Sequence, residues 1–168
     1  VAYDIDNGSQ KEISAYAYYQ LQRDTATPAG ESSMVSTFTG PAVYTEQEKF
    51  QKVDFKDIEK GNKLKFNTKA DNGWIAMVQH YFVSAWIPQE KLEREYYVRK
   101  LDGGNSPAVQ AGVIVPVPKV APGSKTVFSV SLFSGPQIQS MLEQLAKPAA
   151  DGGIGAQGLP LVVDYGWL

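Results

Sequence analysis

Along most of the chain, apolar and polar residues alternate with a period of two. In Ile13–Gln22 the odd positions carry Ile, Ala, Ala, Tyr and Leu, while the even positions carry Ser, Tyr, Tyr, Gln and Gln. Such alternation is typical of a half-buried strand. Shorter runs at Val53–Phe55, Leu64–Phe66, Val113–Val117 and Val127–Phe133 predict further strands.

Turn residues separate these runs. They form six clusters, Thr27–Gly30, Gly40–Pro41, Lys60–Asn62, Asp71–Gly73, Asp102–Asn105 and Ala121–Gly123. Tight polar turns between many strands, with no helices alternating between them, favour an antiparallel β sandwich.

The longest apolar run is Trp74–Ile87, which lies between a turn cluster and Pro88. We interpret it as one long central strand, or as two strands joined by a bend. In a single strand, Trp74, His80 and Trp86 share one face with Phe82. This face is either core or an aromatic cleft that accepts a sugar or an apolar peptide.

One segment has a helical period instead. Its apolar residues at i, i+3, i+4 and i+7 are Ile138, Met141, Leu142 and Leu145. They form one stripe on an α-helix, which we expect to pack on the sandwich. We predict that Pro136 is its first residue, that Ser134 or Gly135 caps it, and that it ends at Lys147. The glycine-rich segment Ala149–Gly158 then predicts a flexible connection.

The composition narrows the function classes. Sixteen basic and eighteen acidic residues give a net charge of −2 and a pI near 5.4, which is unlike a nucleic-acid-binding protein. The chain has no cysteine and one histidine, so we expect neither disulfides nor a metal centre. We also expect no cofactor.

Candidate catalytic groups are sparse. His80 is the only imidazole, and no G-x-S-x-G nucleophile motif occurs. The acidic residues near Glu46–Glu59 are interleaved with lysines, and Glu93, Arg94 and Glu95 form a similar charged run, as expected of a solvated face. The sequence therefore favours a protein that is not an enzyme.

Charge is concentrated in the first part of the chain. Residues 103–168 carry only six of the 34 charged side chains, so this part contributes more core, or else faces a membrane or a partner. No run reaches the ~18 to 20 apolar residues that cross a bilayer. The apolar, aromatic last segment, Leu159–Leu168, suggests that the chain is a fragment of a larger protein.

Five segments resemble the large periplasmic domain of YidC, the inner-membrane protein insertase of the YidC/Oxa/Alb family. They are Phe38–Thr45, Glu48–Lys52, Gly73–Pro88, Gly135–Gln137 and Val163–Leu168. In that family the last segment leads directly into a transmembrane helix. The family's periplasmic domain is also longer at its N-terminal side, so we expect part of it to be absent here.

The resemblance implies a fold and a role. The fold is an antiparallel β-supersandwich, similar to that of sugar mutarotases, with a short C-terminal α-helix. Residues 1–134 would form the sandwich, and residues 135–168 the helix, the glycine-rich linker and a membrane-proximal strand. The role is that of a non-catalytic scaffold and chaperone in the periplasm of a Gram-negative bacterium. The transmembrane core that carries out insertion in this family is not expected in the given sequence.

Partners and sites follow from the same resemblance. The implied partners are the SecYEG and SecDF translocon subunits, nascent inner-membrane proteins and the membrane, with no nucleic acid. The residues expected to couple to the membrane are Pro136, Ile138, Met141, Leu142, Leu145, Asp164, Tyr165, Gly166 and Trp167. The residues expected to face SecF are Tyr44, Glu48, Lys49, Phe50 and Lys52. The alternatives are a mutarotase-like sugar-binding domain and a chaperone-like cleft for an extended peptide, with Trp74, His80 and Trp86 lining the cleft.

Overall fold

The fold was taken from a computed structural model, which describes residues 1–26 and 37–164. The strands of the described residues are β1 (Ala2–Asp6), β2 (Tyr16–Asp24), β3 (Gly40–Thr45), β4 (Lys49–Lys52), β5 (Lys69–Ala70), β6 (Trp74–Val78), β7 (Phe82–Pro88), β8 (Arg94–Leu101), β9 (Ala108–Pro116) and β10 (Lys125–Pro136). The helices are α1 (Phe55–Glu59) and α2 (Gln139–Ala146), with 3-10 helices at Ala149–Asp151 and Leu159–Val162. The predicted mainly β class is confirmed.

The strands form two antiparallel sheets. The larger sheet has the order β1-β10-β7-β6-β3-β4, and the smaller has the order β2-β9-β8-β5. The longest register is that of β2 with β9, from Tyr16 opposite Pro116 to Asp24 opposite Ala108. The registers of β10 with β7 and of β8 with β9 come next. The predicted antiparallel sandwich is therefore confirmed.

The six-stranded sheet is the middle of three layers. On one face Val43, Ile75 and Met77 pack with buried residues of the four-stranded sheet. On the other face Trp74 and Ala76 pack with residues of α2 and of the C-terminal 3-10 helix. Because both faces of β3 and β6 are covered, these strands are buried throughout and do not alternate.

The run Trp74–Ile87 is two strands joined by a turn, as the second interpretation expected. Gln79 donates its N–H to the carbonyl of Phe82 at 2.8 Å and closes the turn. His80 thus lies in the turn, so the single-strand interpretation is wrong. The register places Trp86 opposite Ile75. Trp74 and Trp86 therefore face opposite sides of the sheet, so the prediction that they share one face is wrong.

Two predicted strands and one predicted turn are wrong. β4 ends at Lys52, and α1 begins at Phe55. Leu64–Phe66 is irregular. The alternation in both places arises because Val53, Leu64 and Phe66 contribute to one small apolar cluster with Val109. Gly40–Pro41 opens β3 instead of forming a turn.

Helix α2 begins three residues later than predicted. The β10–β7 ladder continues through Pro136, which lies opposite Phe82, and Gln137 donates to the carbonyl of Tyr81 at 2.8 Å. Ile138 therefore has an extended backbone at the N-cap and no side-chain cap. Strand pairing outcompetes the helix-start signals at Ser134, Gly135 and Pro136. The predicted end is correct to one residue, because α2 stops at Ala146.

The segment Ala149–Gly158 is folded, which contradicts the predicted flexible connection. The amides of Ile154 and Ala156 both donate to the carbonyl of Leu145 at 3.1 Å, and the amide of Gly155 donates to Lys147 at 2.8 Å. In the segment where a membrane-proximal strand was expected, Leu159–Val162 forms a 3-10 helix, and residues 165–168 lie outside the described residues. No helix of the described part is long and apolar enough to span a bilayer. The predicted turn at residues 27–30 lies outside the described residues.

Candidate functional site: the C-terminal unit and the chain end

We use the name C-terminal unit for residues Gln139–Asp164. Its helices lie on the outer face of the six-stranded sheet. Leu142, Ala156 and Leu159 are completely buried there, in one cluster with Trp74. Burial of a large aliphatic side chain contributes roughly 1.5 to 3 kcal/mol. The unit therefore shares a hydrophobic core with the six-stranded sheet and is packed on the sandwich.

The sheet also holds the glycine-rich segment by specific contacts. The rings of Tyr44 and Trp74 stack with centroids 5.8 Å apart and an interplanar angle of 12°. The indole Nε1 of Trp74 donates to the carbonyl oxygen of Gln157 at 2.8 Å. Gly158 has a φ of +78°, and a Cβ there would lie 2.4 Å from the Tyr44 ring. The close approach therefore requires glycine at this position.

The last described residue is anchored at the start of β3. Asp164 Oδ2 accepts the backbone N–H of Phe38 at 3.2 Å and lies 3.8 Å from Lys52 Nζ. The same ammonium group lies 5.0 Å from the centre of the Phe38 ring. Partly exposed ion pairs contribute about 0 to 1 kcal/mol each, so these contacts orient the chain end more than they stabilise the fold.

The predicted coupling residues divide into two groups. Leu142 is fully buried and Leu145 packs beside it, whereas Ile138 and Met141 are 46% and 40% exposed. Of the four residues in the predicted apolar stripe of the helix, two therefore pack in the core and two are partly exposed. Pro136 is exposed at the end of β10. Tyr165, Gly166 and Trp167 lie outside the described residues.

The residues expected to face SecF lie around the β3–β4 hairpin. Tyr44 is buried, and Phe50 packs against Trp74 with ring centroids 6.1 Å apart. The Glu48 carboxylate accepts the N–H of Asn67 at 3.1 Å. Lys49, which has a φ of +61°, is exposed, and Lys52 is partly exposed. Of the five, the two lysines offer most to a partner.

The expected cleft residues are not brought together. Trp74 is buried under the C-terminal unit, and Trp86 donates its indole N–H to the Gln20 carbonyl at 3.2 Å on the other face. His80 is hydrogen-bonded to the Thr37 hydroxyl and contacts the Tyr81 ring edge-on. Within residues 1–26 and 37–164, no three acidic or histidine side chains converge as a metal site would require.

A buried arginine was missed by the sequence analysis, which expected a solvated charge. Arg94 is 4% exposed, and its guanidinium binds main-chain oxygens of two loops. Its acceptors are the carbonyls of Asp71, Gly73, Glu90 and Leu92, and Nε donates to the Tyr96 hydroxyl. Burial raises the pKa of Tyr96, and the arginine charge offsets part of that effect. The sequence signal that could have identified this burial is the spacing: Arg94 lies two residues before the inward-facing Tyr96, so both side chains are on the same face of the strand.

Known proteins place the chain in a family. The model of the YidC periplasmic domain matches residues 1–168. The chain is 58% identical to a Dechloromonas aromatica protein and 53% identical to an Aromatoleum aromaticum protein, in each case over all of this chain. Both relatives are named membrane protein insertase YidC, and the chain spans 28% of their length. A Nitrosomonas europaea protein of the same name is 39% identical. The chain therefore belongs to the YidC periplasmic domain family.

Proposed function

We propose that this chain is a non-catalytic scaffold in the periplasmic part of an inner-membrane protein insertase, and that its C-terminal unit couples the sandwich to the membrane-embedded part. The observation that carries the proposal is the attachment of the unit to the six-stranded sheet. The attachment includes buried residues at both ends of the unit, from Leu142 to Val162, and the contact of Asp164 with Phe38. A force or a position imposed at Asp164 is thereby transmitted to the sheet.

The residues after Asp164 support this direction of coupling. They are Tyr165, Gly166, Trp167 and Leu168, and tyrosine and tryptophan are enriched where proteins meet the membrane interface. The family name of the relatives supplies the membrane context. In this proposal the substrates are nascent inner-membrane proteins, and the sandwich sets the position of the insertase core.

A spacer experiment tests the coupling without disturbing the fold. A flexible spacer of about ten Gly and Ser residues is inserted between Asp164 and Tyr165 of the full-length insertase. The matched control carries the same spacer between Gly103 and Gly104, in an exposed turn. Insertion of a substrate membrane protein into proteoliposomes is then measured for both.

The proposal predicts that the spacer after Asp164 lowers the insertion yield, whereas the spacer at Gly103 leaves it unchanged. Both spacers lie outside the C-terminal unit, and thermal melting checks that both variants are folded. Wild-type yield from both variants would contradict the coupling role.

We also propose that SecDF contacts the β3–β4 hairpin. The exposed Lys49, together with Lys52, supports this side, because charged side chains at a rim steer partners. Since the chain has no cysteine, a single cysteine at Lys49 gives a unique crosslinking position. The control is a cysteine at Lys125, which is 76% exposed on β10. Crosslinks to SecF from both positions, or from neither, would refute the contact.

A groove between the sheet edges favours a second candidate, binding of an extended apolar peptide. β1 and β2 are edge strands, and the space between them is lined by Tyr3, Tyr16, Tyr18 and Phe128. Val117 donates to Ala15, and Thr25 donates to Pro107. By the antiparallel pattern, the even-numbered amides of β2 therefore point away from β9 and can accept a further strand.

Titration of the chain with an extended apolar peptide, followed by the amide NMR shifts of Tyr16 and Tyr18, tests the second candidate. The amides of β6 are buried in the middle of the larger sheet and serve as the reference. Shifts confined to the β2 edge would support strand addition. An unchanged edge at millimolar peptide would exclude this candidate.

A further inference from the structure

Four exposed apolar side chains cluster at one end of the domain. Tyr81 and Phe82, at the β6–β7 turn, are 69% and 57% exposed, and Ile138 and Met141, at the start of α2, are 46% and 40% exposed. We call these four residues the tip patch. Monomeric proteins rarely leave aromatic and aliphatic side chains grouped in this way without a use for them.

The pairing of β7 with β10 brings the residues of the tip patch to the same end of the domain. Phe82 lies opposite Pro136, and the amide of Gln137 donates to the carbonyl of Tyr81 at 2.8 Å. Opposed residues of antiparallel strands have Cα atoms about 5 Å apart. Gln137 therefore lies beside Tyr81, Ile138 is the next residue of the chain, and Met141 lies one helical turn further on.

Asp164, the last described residue, lies at the same end of the domain. Gly40 is opposite Val78, so the residues before β3 run beside the β6–β7 turn. Thr37 is hydrogen-bonded to His80, and the amide of Phe38 donates to Asp164. Asp164 is thus joined to the tip patch through two neighbouring residues and their contacts.

The residues that interrupt or flank the tip patch along the chain are mostly neutral and polar, namely Gln79, Gln137, Gln139 and Ser140. One acidic side chain, that of Glu143, lies beside them and accepts a hydrogen bond from Gln139 at 2.8 Å. This border has no cluster of charge that would select a charged partner or an anionic lipid. Apolar and aromatic groups bordered by neutral amides do match the boundary between the headgroups and acyl chains of a bilayer.

The size of the tip patch also favours a bilayer over a protein. Two aromatic and two aliphatic side chains, between 40% and 69% exposed, offer roughly 400 Å². A stable protein interface buries about 800 Å² on each partner. A bilayer needs no complementary surface, so a patch of this size is sufficient when the chain end already holds the domain near the membrane.

We propose that the tip patch is a lipid-contact surface that seats the β6–β7 turn and the start of α2 in the membrane interface beside Asp164. This inference rests on the proposed function in one respect, which is that the chain end lies near the membrane. The side chains of Tyr81, Ile138 and Met141 then stabilise one orientation of the sandwich relative to the bilayer. Coupling through Asp164 and seating through the tip patch are separate contributions.

A tethered-vesicle experiment tests the seating. The 168-residue chain carries six histidines after Leu168 and is bound to phosphatidylcholine vesicles that contain a nickel-chelating lipid. Since the chain lacks cysteine, a single Tyr81→Cys carries a bimane label, and spin-labelled lipids in the vesicle quench it. The control label is at Lys125→Cys, at the other end of β10, about 36 Å from Pro136 at about 3.3 Å per residue.

We expect the Tyr81→Cys label to be quenched by lipid and the Lys125→Cys label to remain unquenched, at low and at high salt alike. In the Tyr81→Cys protein, the further changes Ile138→Ser and Met141→Ser should reduce the lipid-bound fraction of the label about tenfold, because they remove exposed apolar surface. Both side chains are partly exposed, and thermal melting checks that the variant is folded.

Three results would overturn the inference. The first is equal quenching at positions 81 and 125. The second is quenching at position 81 that the serine changes leave intact, since this would reflect the tether alone. The third is a dimer in solution that the serine changes dissociate, since this would make the tip patch an interface between copies of the chain. None of these results depends on substrate insertion, so the spacer experiment fails or succeeds independently.

Discussion

The indole nitrogen of Trp74 lies 2.8 Å from the carbonyl oxygen of Gln157 and donates a hydrogen bond to it. Trp74 is in the middle of the six-stranded sheet, and Gln157 is near the end of the glycine-rich segment. This bond joins residues 83 positions apart and has the Tyr44 ring stacked beside it. The C-terminal unit is therefore part of the sheet's packing, and Gly158 within the unit allows its close approach to the Tyr44 ring.

Gly158→Ala is expected to destabilise the chain much more than Gly155→Ala. Both glycines have positive φ values, +78° and +68°, so both substitutions incur left-handed strain of about 1 to 2 kcal/mol. Only at Gly158 would the new Cβ meet the Tyr44 ring, at 2.4 Å, whereas nothing lies within 4 Å at Gly155. Urea unfolding of the two variants measures the difference. Equal midpoints would mean that Tyr44 does not hold the segment.

Leu142→Asp should impair the full-length insertase more than Glu59→Ala. Leu142 is completely buried, and a carboxylate there would lack a partner among apolar neighbours, a loss of about 3 kcal/mol or more. Glu59 ends α1 and is exposed. Complementation of growth and thermal melting of the chain provide the two measurements. If both variants grow as the wild type does, the helix has no part in function.

Arg94→Lys is expected to lower the free energy of unfolding by at least about 3 kcal/mol, because a lysine cannot bind four carbonyls and a hydroxyl at once. Arg99→Lys is the matched control. Arg99 is exposed and donates to the Gln110 side chain at 2.6 Å. Chemical denaturation gives both values. If Arg94→Lys lowers the free energy of unfolding no more than Arg99→Lys does, other contacts hold the two loops.

The stability of the chain should fall between about pH 10 and 12, in part through Tyr19. Burial, and then the nearby Tyr3 and Glu90, raise the pKa of Tyr19 from near 10 to about 12. In this interval the unfolded phenol loses its proton first, so rising pH favours unfolding, while below pH 10 the contribution is complete. Tyr96 and Tyr97, whose pKa values are also raised, act in the same direction.

Tyr19→Phe should therefore flatten this alkaline decline without abolishing it. At pH 7 the variant should be as stable as the wild type or more so, since the Tyr19 hydroxyl is buried and has no hydrogen-bond partner. Melting temperatures of both proteins from pH 7 to 12 provide the comparison. An unchanged alkaline slope would mean that Tyr19 is accessible to water in the folded state.

The sheet architecture could be predicted from local patterns where one face of a strand is covered. β2 has its inward Tyr19 and outward Tyr18 as the alternation requires. The patterns failed where tertiary contacts dominate. Leu64 and Phe66 alternate without pairing, and the β10 ladder extends through the residues that carry the helix-start signals.

The candidate site could be predicted only in part. The helical spacing identified Leu142 and Leu145, but it could not separate them from the exposed Ile138 and Met141, because the extent of the sheet beneath α2 is set by long-range pairing. The glycine-rich composition around Gly158 predicted a flexible connection, because composition does not reveal that the Tyr44 ring packs against this glycine. Arg94 was predicted to be solvated because no residue type in the sequence reveals its main-chain acceptors, and only its spacing of two residues from the inward Tyr96 indicated burial.

Hydrogen exchange tests the central claim, that the C-terminal unit and the six-stranded sheet form one rigid body. The informative amides are those of Ile154 and Ala156, which donate to Leu145, and of Gly155, which donates to Lys147. We predict that they exchange as slowly as the amides of β6, because they open only when the sheet does. Exchange as fast as that of the exposed turn at Gly103 would contradict the claim and restore a flexible linker.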